Sequence, residues 1–95
     1  MAQRFLNRGC PPFREWVVRR YPCANCGKRA SDPAHVVSKA KGGYDVGDIV
    51  PMCTKCHRYI QHGVDGGWSK LDITQADAAL LAIKYAIKWY EVTTP

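Results

Sequence analysis

Apolar residues along this chain fall into short clusters, each closed off by glycine, proline or charged residues. In "PFREWVVRRYP", Phe13, Trp16, Val17 and Tyr21 recur at helical spacing, and Pro22 ends the pattern. A short helix is expected there, preceded by a loosely ordered segment over residues 1–12 that ends in Pro11 and Pro12. "DPAHVVSKA" carries a β-branched pair and reads as a strand, and "KGGYDVGD" as a glycine-rich turn. "IVPMC" reads as a second short strand with Pro51 at its end or edge. A helix is expected from about Thr54, carrying Cys56 and His57, until "GVDGGW" breaks it. The clearest helix lies in "ITQADAALLAIKYAIKWYEV", over residues 74–92. Thr74 can cap it, and Asp77 three residues on completes a pattern like a capping box. Ala76, Ala79, Leu80, Ile83, Ala86, Ile87 and Tyr90 form one apolar stripe along it. That stripe is expected to pack on the core, with a groove for a partner helix as its other use.

At 95 residues the chain makes one small domain spanning 1–95, with no internal repeat or low-complexity tract. So short a chain buries a modest core, and an additional staple is expected. No apolar run reaches the roughly 18–20 residues of a membrane span, and "MAQRFLNRGCPPFREW" has no apolar segment like that of a signal peptide. A cytoplasmic protein with reduced thiols is the expectation. Its five cysteines then read as four metal ligands and a spare thiol, Cys10, rather than as disulfides.

The formal net charge is +6. Arg4, Arg8, Arg14, Arg19 and Arg20 stand against Glu15 alone, and Lys28, Arg29, Lys39 and Lys41 form a second group offset by Asp32. Such a domain suits a phosphate-rich partner. An acidic protein partner, or a merely solvated surface, fits the same charges.

Cys23-x-x-Cys26 and Cys53-x-x-Cys56 are separated by 26 residues. Paired knuckles of this kind bind zinc because each turn aims two thiolates at one tetrahedral centre. Here they bracket both expected strands, so one ion would pin both ends of the motif. An iron–sulfur centre is the minor alternative. Structural zinc would supply folding energy and no chemistry.

Between and after the knuckles lie the chain's three histidines, His35 in "AHVVSKAKGG" and His57 and His62 in "HRYIQH". Residues 13–68, through "FREWVVRRYPCANCG", "PAHVVSKAKGG" and "DIVPMCTKCHRYIQHG", resemble a zinc-ribbon HNH (ββα-metal) endonuclease. The likeness is to phage and prophage HNH proteins, including the phage recombination enhancement nuclease family. It implies an α+β fold: a small zinc-stapled ββα-metal domain flanked by an N-terminal helix and a C-terminal amphipathic helix. By position it makes His35 the general base that takes a proton from attacking water, a task suited to a pKa near neutrality. His57 would ligate a catalytic divalent cation, magnesium, manganese, nickel or zinc, and His62 would be a second metal or phosphate ligand. DNA is the implied substrate, with a homodimer or a protein partner as further possibilities.

Three positions differ from the family pattern. Ala34 stands where many HNH enzymes carry a metal ligand, and Asp32, two residues earlier on the same strand face, is the carboxylate that could serve instead. Asp48 takes the place of the asparagine that ties the loop together. His57 and His62 are five residues apart, which in a regular helix sets them about 140° apart. Lys39 and Lys41, beside Gly42 and Gly43, and Arg58 on the helix are the expected phosphate contacts. Tyr44 is the stacking candidate, and Trp16 and Trp68 are expected in the packing. Two other functions fit the same residues: a catalytically silent zinc module that binds nucleic acid, and a protein-interaction module.

Overall fold

The computed structural model describes residues 9–37, 44–62 and 67–94, the side chains of Gln61 and His62 excepted. The expectations for residues 1–8, for Lys39, Lys41, Gly42 and Gly43, for the break over 63–66 and for the His62 side chain lie outside the described residues. In chain order come helix α1 (Pro11–Arg20), strands β1 (Asp32–His35) and β2 (Ile49–Met52), helix α2 (Thr54–His62), a 3-10 turn (Gly67–Lys70) and helix α3 (Gln75–Thr93). The architecture is α+β, with one two-stranded antiparallel sheet among the described residues.

Helix α1 begins two residues before the expected Phe13. Pro11 occupies its first turn, where a missing N–H costs nothing and the fixed φ suits a helix. The Cys10 carbonyl accepts the first hydrogen bonds, from Phe13 and Arg14 at 3.0 and 3.1 Å. One face of α1 buries Phe13 and Val17 completely. Phe13 and Trp16 also meet Trp89 of α3, at centroid distances of 5.6 and 5.4 Å.

Strand β1 is shorter than the sequence suggests, ending at His35 rather than running on through Val36 and Val37. The Asp48 carboxylate takes the Val37 N–H at 3.0 Å, and the Asp48 carbonyl takes that of Val36 at 2.8 Å. A side chain has replaced the continuing ladder, as short acidic residues do. Asp32 pairs with Met52, Pro33 with Pro51, Ala34 with Val50 and His35 with Ile49. All four residues of β2 are buried, since the strand lies under both α1 and α3. Its buried Ile49, Val50 and Met52, with Phe13, Val17 and Ala34, make the centre of the core.

Helix α3 corrects the sequence reading. Thr74 caps it, accepting from the Asp77 N–H at 3.1 Å. The residues it buries, however, are Ala78, Ala82, Tyr85 and Ala86, with Trp89 packed beside them. Of the expected core stripe, Leu80, Ile83, Ile87 and Tyr90 are instead exposed, at 61, 50, 54 and 37%. Steric closeness explains the choice. Alanines let the helix lie near β2, while Tyr85 and Trp89 reach the aromatic cluster of α1, where Tyr85 and Tyr21 rings are 4.4 Å apart.

Candidate metal centre and histidine site

Each Cys-x-x-Cys turn is shaped by its own backbone. Gly27 takes a left-handed φ of 77°, closing the first knuckle so that its N–H reaches the Cys23 carbonyl at 2.9 Å. The Ala24 N–H then ties the knuckle to the Pro51 carbonyl of β2 at 2.8 Å. The second knuckle is the entry to α2, where the Cys56 N–H approaches the Cys53 sulfur at 3.5 Å. The four sulfurs of Cys23, Cys26, Cys53 and Cys56 all lie within 4.8 Å of one another, positioned to bind one metal ion. The Sγ atoms of Cys26 and Cys53 are 3.7 Å apart. In a tetrahedral centre with zinc–sulfur bonds of about 2.3 Å, neighbouring sulfurs stand roughly 3.8 Å apart. The donor set therefore fits zinc in both chemistry and size.

The thiols differ in their surroundings. Burial raises Cys23, but hydrogen bonds from the backbone of Cys26, Cys53 and Asn25 and from the Cys26 side chain outweigh it and bring it down to about 7. Burial pushes Cys56 up to about 12, against the lowering effect of the Asn25 amide. Asn25, which sequence reading did not single out, is a tie between elements. Its Nδ2 donates to the Cys56 sulfur at 3.3 Å, while its Oδ1 accepts from the backbone N–H of Asp72 and Ile73 at 2.7 and 3.1 Å. The cysteine cluster is thus joined to the segment that leads into α3. Cys10 stands apart from the quartet, as the N-cap residue of α1.

Two histidine arrangements flank the hairpin. Asp32 on β1 and His57 on α2 meet directly, Oδ2 to Nδ1, at 2.9 Å. The other carboxylate oxygen accepts from Ser31 at 2.8 Å and from Thr54 at 3.4 Å. Burial raises the Asp32 carboxyl, but the hydrogen bond from His57, that from Ser31, the His57 charge and Thr54 together hold it below the usual carboxylate range. Asp32 is therefore ionised at neutral pH. His57 follows Cys56 directly, so a single turn of α2 carries the last sulfur and this imidazole.

His35 points to the loop after β1. Its Nδ1 lies 3.0 Å from Asp48 Oδ2, and its Nε2 lies 3.1 Å from Asp45 Oδ1. Asp45 is fully buried, and its Oδ2 accepts from Arg14 at 3.1 Å and from the Cys10 N–H. The Nε2–Oδ1 approach is close enough for an ion pair but not aligned as a hydrogen bond, and Oδ1 has no aligned donor. Asp45 is the second residue that the sequence reading missed. The only local signal for it is the spacing in "YDVGD", where Asp45 and Asp48 flank Gly47, whose φ is 104°.

Among the other expected residues, Arg58 is exposed on α2, as is Tyr44 before the turn. Trp16 and Trp68 are packed against the core. Arg14 is engaged with Asp45, so it is not part of the free basic surface. Arg19, Arg20, Lys28 and Arg29 are exposed. No helix among the described residues is long and apolar enough to cross a membrane.

Fold and site together define a small α+β domain gathered around four cysteines positioned to bind a metal ion. Over 58 aligned positions this chain is 34% identical to the uncharacterized protein YdfU of Escherichia coli (strain K12), a match covering 50% of this chain and 17% of that protein. The chain thus spans about a sixth of that relative's length. No protein-family model matches the chain, and no solved structure matches it.

Proposed function

We propose that this domain is a metal-dependent endonuclease of the HNH kind, hydrolysing phosphodiester bonds of DNA. The observation that carries the reading is the Asp32–His57 pair, an ionised carboxylate and an imidazole 2.9 Å apart where β1 meets α2. The two are joined by a hydrogen bond; adjacent ligands of an octahedral ion with bonds of about 2.1 Å also stand roughly 3.0 Å apart, so a cation could take the place of the shared proton. The pair is partly open, with side chains 28 and 16% exposed, so a phosphate could complete the coordination. A divalent cation held there would supply stabilisation of charge on the phosphate and the departing 3′-oxygen.

The chain's own residues do the rest. His35 takes the proton from attacking water. For that, one ring nitrogen must exchange its carboxylate for water. Asp48 is 15% exposed while Asp45 is sealed, so the exchange falls at Nδ1, with Nε2 anchored against Asp45. Asp48 also holds the Val37 N–H, so the strand end that presents His35 stays fixed. Arg58, one residue beyond His57, is the described basic side chain best placed in sequence to meet the phosphate backbone. The test is incubation of the zinc-loaded protein with supercoiled plasmid and magnesium, manganese or nickel. Nicked circles are the expected product, and intact plasmid under every metal would end this reading.

A second reading, a zinc module that binds nucleic acid without cutting it, is favoured by one observation. Both ring nitrogens of His35 face carboxylates, which also suits a structural lock between α1 and the loop. It predicts DNA binding that weakens steeply with salt and no cleavage.

A further inference from the structure

The outer face of α3 carries large apolar side chains that remain exposed among the described residues. Leu80, Ile83, Ile87 and Tyr90 are exposed, and they follow one another at intervals of three, four and three residues. Ala76 lies four residues before Leu80. This is a sustained heptad pattern, the spacing of a seam between two helices and not of a helix packed once on a globular core. The inward face is a different set, Ala78, Ala82, Tyr85, Ala86 and Trp89, so α3 is apolar on two opposite sides. Only Asp77, Lys84, Lys88 and Glu91 are charged along its 19 residues. A helix apolar on both sides is normally covered on both.

We propose that a second copy of this chain covers this face, through an antiparallel pairing of the two α3 helices about a two-fold axis. The flanking charges select the occupant and its register. With Leu80 opposite the partner's Ile83, Ala76 falls opposite Ile87, so the central layers are apolar. In that same register Asp77 comes within one turn of the partner's Lys84, and Lys84 of the partner's Asp77. The two-fold axis makes both pairs at once, on the side of the seam where both helices carry their charges. The opposite side presents Ala79, Ala86 and Thr93, small enough for close approach. Shifting the pairing so that Leu80 meets Tyr90 would instead set Lys84 against Lys84 and Asp77 against Glu91. A parallel pairing would set these charges against the small side and form no ion pair. This dimer does not depend on the nuclease reading.

The experiment is sedimentation equilibrium on the zinc-loaded chain and its variants, with helical content checked by circular dichroism. The wild type should sediment at twice the 10.7 kDa chain mass. Ile83→Asp should sediment as a folded monomer. Asp77→Lys and Lys84→Glu should each weaken self-association roughly tenfold, since two attractive pairs become two repulsive ones. Mixing these two variants should restore association as a heterodimer, because both contacts are then opposite in charge. A wild type that stays monomeric up to millimolar concentration overturns the proposal, as does a dimer indifferent to Ile83→Asp. A dimer broken by Ile83→Asp whose charge variants do not re-associate on mixing overturns the antiparallel register.

Discussion

Replacing Cys53 with serine should leave this chain without a cooperative thermal transition and with most of its helical signal lost. Metal removal by a strong chelator should do the same to the wild type, reversibly on adding zinc. The reason is the distribution of the core. The apolar centre is small, built from Phe13, Val17, Ile49, Val50 and Met52 with alanines around them. The connection from α1 to β1, the end of β2 and the start of α2 are all held by the same four sulfurs. Structural zinc contributes about 10–16 kcal/mol in small domains at neutral pH, more than the whole stability of most domains of this size. Losing one sulfur of four forfeits much of that. Zinc content by atomic absorption should be one ion per chain in the wild type. Wild-type stability unchanged by chelation would remove the metal from the fold.

The second large effect concerns the histidines. In the manganese-dependent plasmid assay, His35→Ala should slow cleavage by roughly 10²- to 10⁴-fold, the usual span for a general base. His57→Ala should cost at least about 100-fold, beyond what loss of a group merely supporting a ligand produces. The two losses should differ in kind. Excess manganese should recover part of the His57→Ala deficit, because a weakened site can be filled by mass action, and none of the His35→Ala deficit. Neither substitution touches a sulfur, so both proteins should keep their zinc and their thermal transition. Were His35→Ala to lose stability instead, with cleavage intact per folded molecule, the ring would be the structural lock between Asp45 and Asp48.

What could be read from the sequence was what rests on short spacing. The two knuckles are local turns, and their four cysteines do come together. The starts of α2 and α3 are likewise set by neighbouring residues, as the Thr74 cap shows. Three things were not legible, each for a long-range reason. Helix α3 has two apolar faces, and periodicity cannot say which meets its own core. That was decided by the fit of alanines against β2 and by Trp89 meeting the rings of α1. Asp45 looks like an ordinary turn residue until α1 delivers Arg14 and the Cys10 N–H, 31 and 35 residues away in sequence. Asn25 looks like filler inside a knuckle until the segment at Asp72 and Ile73 folds over it.

The proposed function requires two metal sites with separate jobs: an ion at the four cysteines that holds the fold and a cation at Asp32 and His57 that acts on phosphate. Anomalous scattering from crystals of the zinc-loaded protein with bound DNA and manganese tests this most directly. The expected result is a zinc peak among the four sulfurs and a separate manganese peak bonded to Asp32 Oδ2 and a ring nitrogen of His57. A zinc peak alone, with Asp32 still hydrogen-bonded to His57 at saturating manganese, would contradict it.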